Sequence, residues 1–244
     1  MADELHGAVS SGSAEEVEAC LQRGIDINIT DEQRRWTAYL LAAYYGEVSV
    51  LEVLEKYKAN VTATDNYGRS AVHLASKENK SEALIHLLKV GADATVEDNW
   101  SRQPLHLAAL KGAMETLMIL LDHLKCKGIE EPLQCADGYG RTPLHLAAKE
   151  NWPNIIQYLI DNGADPEASD HYERTPMHLA ALHGCTRAVE VLLKFADINS
   201  LDKWKHTPYY LAVYYKHTET AKFLLENGAD EHAGSWSESD NAII

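Results

Sequence analysis

Twelve histidines and four cysteines are the side chains of this 244-residue sequence that could ligate a metal or carry nucleophilic and acid–base chemistry. Zinc needs three or four such groups converging at about 2 Å. His73, His106, His145 and His178 stand 33, 39 and 33 residues apart, and His6 opens the same series. That period spreads them along the chain rather than around one ion. His171, His183, His206 and His217 fall outside the series and are read as a surface group. Cys20, Cys126, Cys135 and Cys185 are scattered without CxxC spacing, which points to free thiols in a reducing compartment. Cys126 and Cys135 share one loop, so a bridge there stays open. No nucleophile elbow, HExxH, phosphate-cradling glycine loop or carboxylate pair is present. No catalytic residue, metal or cofactor is assigned, and the chain is not expected to be an enzyme.

Chemistry of a different kind recurs with the same period. Two residues beyond Asp65, Asp98, Asp137, Asp170 and Asp202 stand Tyr67, Trp100, Tyr139, Tyr172 and Trp204. Two further on come Arg69, Arg102, Arg141, Arg174 and His206. Tyr, Trp and Arg dominate the energy of protein interfaces. The pairs Tyr44-Tyr45 and Tyr214-Tyr215 add apolar area that asks for a cover. The net charge of −15 argues against nucleic acid, which needs a dense cationic face. No apolar run approaches the ~18 residues of a membrane span, and the N-terminus has no secretory pattern.

The elements that position these residues are set by a repeat. Thr-Pro-Leu-His-Leu-Ala-Ala is intact at 142–148, and near-copies begin at Thr37, Ser70, Gln103, Thr175 and Thr207. Successive starts are 33, 33, 39, 33 and 32 residues apart, after a degenerate copy at 5–12. Thr142 suits an N-cap and Pro143 the first helical turn. Leu144, Leu146, Ala147 and Ala148 give a short helix with an apolar face. Ile155, Ile156, Leu159 and Ile160 predict a second helix, with Gly163 as its C-cap. Neither helix can stand alone, so the units must stack.

These blocks, with Gly-Ala-Asp and an Asp opening the next turn, resemble the ankyrin repeat over roughly 1–232. The resemblance implies an all-α ankyrin solenoid of helix–turn–helix units joined by β-hairpin loops. The repeats are expected at about 1–30, 31–64, 65–97, 98–136, 137–169, 170–201 and 202–232, the first and last serving as caps. It also implies that the block histidines hydrogen-bond between neighbouring loops, and that the Tyr/Trp and Arg series lies on the projecting hairpins. Those residues then serve recognition together with structure, or structure alone. The ends of the first helices would face a concave groove, with Lys77-Glu78, Leu110-Lys111, Lys149-Glu150 and Leu182-His183 lying between the two Tyr pairs.

Departures from the pattern carry their own expectations. Six extra residues fall in 124–136, as a lengthened loop. Phe195-Ala196-Asp197 tightens one turn, and Asp31–Thr37 makes one loop a residue longer. Glu15, Glu16, Glu18, Glu52, Glu55, Asp122, Glu190 and Glu226 are read as a solvated back face. The tail, 233–244, is expected to be unstructured, and its Asn-Ala-Ile-Ile weakly resembles a PDZ-type ligand. The function expected is that of a monomeric, cytoplasmic or nuclear protein-interaction scaffold. Its partner would be an extended or helical segment with apolar and acidic residues, without membrane or nucleic acid. The alternatives are an assembly chaperone or regulatory subunit, similar in plan to gankyrin, and a substrate adaptor of a ubiquitin ligase or kinase.

Overall fold

A computed structural model describes residues 2–234; the tail from 235 onward, with its Asn-Ala-Ile-Ile, lies outside the described residues. The chain divides into two compact units, Met1–Pro132 and Leu133–Ile244. The first contains α1 (Ala2–Ser10), α2 (Ala14–Gln22), α3 (Ala38–Tyr45), α4 (Val48–Lys56), α5 (Ala71–Lys77), α6 (Ser81–Lys89), α7 (Pro104–Lys111) and α8 (Met114–Cys126). The second contains α9 (Pro143–Lys149), α10 (Pro153–Asp161), α11 (Pro176–Leu182), α12 (Thr186–Leu192), α13 (Pro208–Tyr214) and α14 (Thr218–Glu226). A 3-10 turn, Pro132–Gln134, lies at the division.

Helices of this length are marginal in water, because nucleating one fixes several residues for few hydrogen bonds. Packing supplies the remainder. In the first unit α1, α3, α5 and α7 pack in series, and α2, α4, α6 and α8 form a second layer behind them. In the second unit α9, α11 and α13 form one layer and α10, α12 and α14 the other. Ala147, Ala148, Ala180 and Ala181 are fully buried, and such small side chains let neighbouring first helices approach closely. Ile155, Ile156 and Leu159 fill the space between layers, each worth about 1.5–3 kcal/mol of burial.

The sequence departures take physical form. The extra residues of 124–136 are not only loop, as expected, because α8 runs for 13 residues where α6 and α10 have nine. The apolar spacing Leu117, Leu120, Leu121, Leu124 continues with no glycine until Gly128, whose φ of +73° lies beyond the helix end. Leu133 then anchors the following turn in the core. At Phe195-Ala196 no glycine is available, and α12 stops after seven residues, with the Ala196 amide bonded to the Leu192 carbonyl. In its sibling Ala164 the bond reaches back one residue further, to Leu159. No helix is long and apolar enough to cross a membrane among the described residues.

Candidate partner-binding surface

The loops between repeats contain no strand among the described residues; the expected hairpins are tight turns. Their amides are taken by an aspartate rather than by a ladder. In repeat five Asp137 Oδ1 accepts from the Tyr139 N–H (2.9 Å) and the Arg141 N–H (3.0 Å). Its Oδ2 accepts from Arg141 Nε (2.9 Å) and Nη2 (2.6 Å), and the Asp137 N–H closes the loop on the Arg141 carbonyl. Asp65, Asp98 and Asp170 repeat this clamp on Arg69, Arg102 and Arg174. Burial pushes the Asp65 and Asp137 carboxyls up, but the arginine and amide hydrogen bonds outweigh it and hold both below the usual value.

Each guanidinium also covers the ring of its own loop: Arg69 on Tyr67 (4.8 Å), Arg102 on Trp100 (4.7 Å), Arg141 on Tyr139 (4.7 Å) and Arg174 on Tyr172 (4.6 Å). Those charges are engaged at home, each on a fully buried carboxylate. What the clamp presents outward is the aromatic series, and Tyr67, Trp100, Tyr139, Tyr172 and Trp204 are all exposed. Tyr67 stacks on Trp100 (5.7 Å) and Tyr172 on Trp204 (5.6 Å). At the helix ends Tyr44 lies against Trp36 (4.8 Å), while Tyr45, Tyr214 and Tyr215 are exposed. Lys77 and Lys149 pair with their neighbours Glu78 and Glu150.

Four of the block histidines tie their helix to the following loop. His145 Nδ1 accepts the Thr142 N–H (3.2 Å), so Nε2 carries the proton and donates to the Arg174 carbonyl (2.9 Å). His73 reaches the Arg102 carbonyl (2.8 Å) and His178 the His206 carbonyl (3.1 Å) in the same way. His6 reaches the Ile29 carbonyl. Burial pushes His73, His145 and His178 below the ordinary imidazole value. Of the out-of-register histidines, His217 stands 3.0 Å from the Leu182 carbonyl and His206 stacks on Tyr210 (4.2 Å). Among the described residues no three His, Cys, Asp or Glu side chains stand together as a metal-ligand set. No disulfide joins Cys126 and Cys135.

One part of the back face is not simply solvated. Glu55 accepts from the buried Tyr39 hydroxyl (2.8 Å) and stands 3.0 Å from His86 Nε2. The missed signal is Tyr39 itself, a phenol at a core position of the block whose hydroxyl needs a partner.

Repeat seven has no arginine. Asp202 Oδ1 takes the Trp204 and His206 amides, but His206 Nδ1 stands 3.5 Å from Oδ2. That fully buried Oδ2 has no hydrogen-bond partner among the described residues. His206→Arg is therefore expected to complete the clamp and stabilise the repeat by about 1 kcal/mol. The melting midpoint would rise by about 2–4 °C. A midpoint equal to or below that of the parent would show that the guanidinium is not what stabilises the sibling loops.

The family model described as "Ankyrin repeats" matches the chain three times, at residues 5–98, 78–170 and 163–234. The chain is 37% identical over 67 residues to palmitoyltransferase AKR1 of Lachancea kluyveri, covering 28% of this chain and 9% of that protein. It is 36% identical over 81 residues to the probable E3 ubiquitin-protein ligase XBOS32 of Oryza sativa subsp. japonica, covering 33% and 16%. The chain thus spans less than a fifth of either relative. The crystal structure of the human ASB11 ankyrin repeat domain is similar at 20% identity with a TM-score of 0.77, over 93% of this chain and 98% of that one. At that identity the likeness concerns the fold.

Proposed function

Because the chain belongs to the ankyrin-repeat family, we propose that it acts as a non-catalytic protein-interaction module whose loop tips and first-helix ends hold a protein partner. A fold does not fix a function, so the reading rests on the site. The observation that carries it is the mounting of the rings. Tyr67, Trp100, Tyr139 and Tyr172 are exposed, yet each is held in place by a guanidinium locked on a buried carboxylate. A ring fixed before binding loses little conformational freedom on contact, which is what a high-energy interface position requires. Placement in the cytoplasm or nucleus, and action as a monomer, belong to the same proposal.

The Trp100→Ala/Tyr139→Ala/Tyr172→Ala variant tests it. The intact chain should capture a protein at fixed stoichiometry, and the variant should bind that protein about 30-fold more weakly or worse, corresponding to about 2 kcal/mol. The variant's circular dichroism should match the parent's. Undiminished affinity in a folded variant would remove the tips from the interface. A role as substrate adaptor or as subunit of an assembly is the narrower alternative. Its support is the partial similarity to a plant protein named as a probable ubiquitin ligase.

A further inference from the structure

Residues 203–216 contain Lys203, Lys205 and Lys216 and no Asp or Glu, in a chain whose 37 acidic residues leave a net charge of −15. All three lysines are exposed and make no ion pair among the described residues. They flank a continuous series of rings. Tyr172 stacks on Trp204, Trp204 lies 6.4 Å from His206, His206 4.2 Å from Tyr210, Tyr210 6.1 Å from Tyr214 and Tyr214 5.0 Å from Tyr215. The path runs from the loop tip along α13 to its end. Trp204 is 45% exposed and Tyr215 51%. Val213, at the place where repeat five buries Ala148, is also exposed. The carboxylates beside this stretch include Asp202, buried next to Lys203, Glu173, on the loop of Tyr172, and Glu219, in the first turn of α14.

We propose that this face of repeat seven docks an acidic segment of a partner protein. The segment's apolar side chains lie on Trp204, Tyr214 and Tyr215, and its carboxylates meet Lys203, Lys205 and Lys216. The proposal rests on the interaction reading above and adds the chemistry of the partner. Charge complementarity selects the occupant. Lys56, Lys77 and Lys149 are paired with glutamates; Lys203, Lys205 and Lys216 are not, and what sets them apart from the chain's other lysines is that they flank the ring series. Planar rings beside unpaired ammonium groups favour apolar anchors interspersed with carboxylates. A single-stranded nucleic acid carries a charge on every nucleotide and needs a longer cationic track than three lysines in an acidic protein provide.

The test is selection of displayed random peptides on the full chain, followed by affinity measurement with synthesised winners. Enriched peptides should carry net negative charge with aromatic or proline residues. Their affinity should fall about tenfold or more in Lys203→Glu/Lys205→Glu/Lys216→Glu, and again when the peptide's Glu residues become Gln. Trp204→Ala/Tyr215→Ala should weaken them similarly, with melting curves of all variants overlaying the parent's. Neutral or basic winners, or acidic winners indifferent to both variants, overturn the proposal. Winners sensitive only to Trp100→Ala/Tyr139→Ala/Tyr172→Ala overturn it while leaving the interaction reading in place. No enrichment at all, tighter binding of a 15-nucleotide oligothymidylate, or burial of this face by self-association also overturns it.

Discussion

Asp137→Ala is expected to destabilise the second unit by about 3 kcal/mol, the scale of breaking a buried ion pair by removing one partner. The side chain accepts four hydrogen bonds, two from loop amides and two from Arg141, and is fully buried. Removing it leaves the amides without their acceptor and the guanidinium over Tyr139 without its counter-charge. Arg141→Ala should also be costly, because it strands the buried carboxylate. The double variant should cost much less than the sum of the two, since each single change abandons the other's partner. Denaturant unfolding of the four proteins measures this; additive costs would refute the clamp as a coupled pair. The acid limb provides a second readout. The Asp137 carboxyl is held below its ordinary value of 3.8, so its contribution is complete above that value and lost as pH falls through the depressed one. Asp137→Ala should lack that loss.

The block histidines set an earlier acid transition. His73, His145 and His178 are held neutral by burial, below the ordinary value of 6.5. Between 6.5 and their lowered values the unfolded chain binds more protons than the folded one. Stability is therefore complete above 6.5 and falls as acid is added below it. Protonation would set an Nδ1–H against the Thr142 N–H, and the same clash arises at Ser70 and Thr175. The melting midpoint should fall as the pH drops from 6.5 towards the lowered values, and His145→Ala should flatten the slope. That variant should also cost about 3 kcal/mol, because the Thr142 N–H and Arg174 carbonyl lose their partner in the core. A midpoint constant across this range would show that these imidazoles are not neutral struts. Since the Arg174 carbonyl belongs to the loop bearing Tyr172, the same acidification should weaken partner binding there.

Much of this architecture is legible in the amino-acid sequence alone. The helix pairs follow from Thr-Pro-Leu-His-Leu-Ala-Ala because capping, the missing proline N–H and helical spacing are local rules. The histidine ties follow from resemblance to the family, because their acceptors lie about 29 residues away. The use of the arginines is not legible. Asp137 and Arg141 meet only when a tight turn folds the chain back across four residues, and the sequence shows two exposed-type charges with an aromatic between them. The Glu55–Tyr39–His86 contact spans three helices and is hidden for the same reason. The lysines of 203–216 are not legible as a site either, because 33–46, 99–114 and 174–189 are equally free of acids, and only the ring series beside the lysines sets this stretch apart.

The clamp has a consequence for how such a surface can change. Closing the loop employs the aspartate, the arginine and the backbone, and leaves the central side chain as cargo. Tyr67, Trp100, Tyr139 and Tyr172 already show two different rings on the same frame, at nearly the same distance from the guanidinium beneath. Exchanging one tip costs the ring–cation contact, about 0.5–1 kcal/mol at an exposed site, and at Tyr67, Trp100 and Tyr172 the stack on the neighbouring ring as well. Each loop is therefore a socket that can be refitted singly. The address written across the loops can be edited one character at a time without refolding the page.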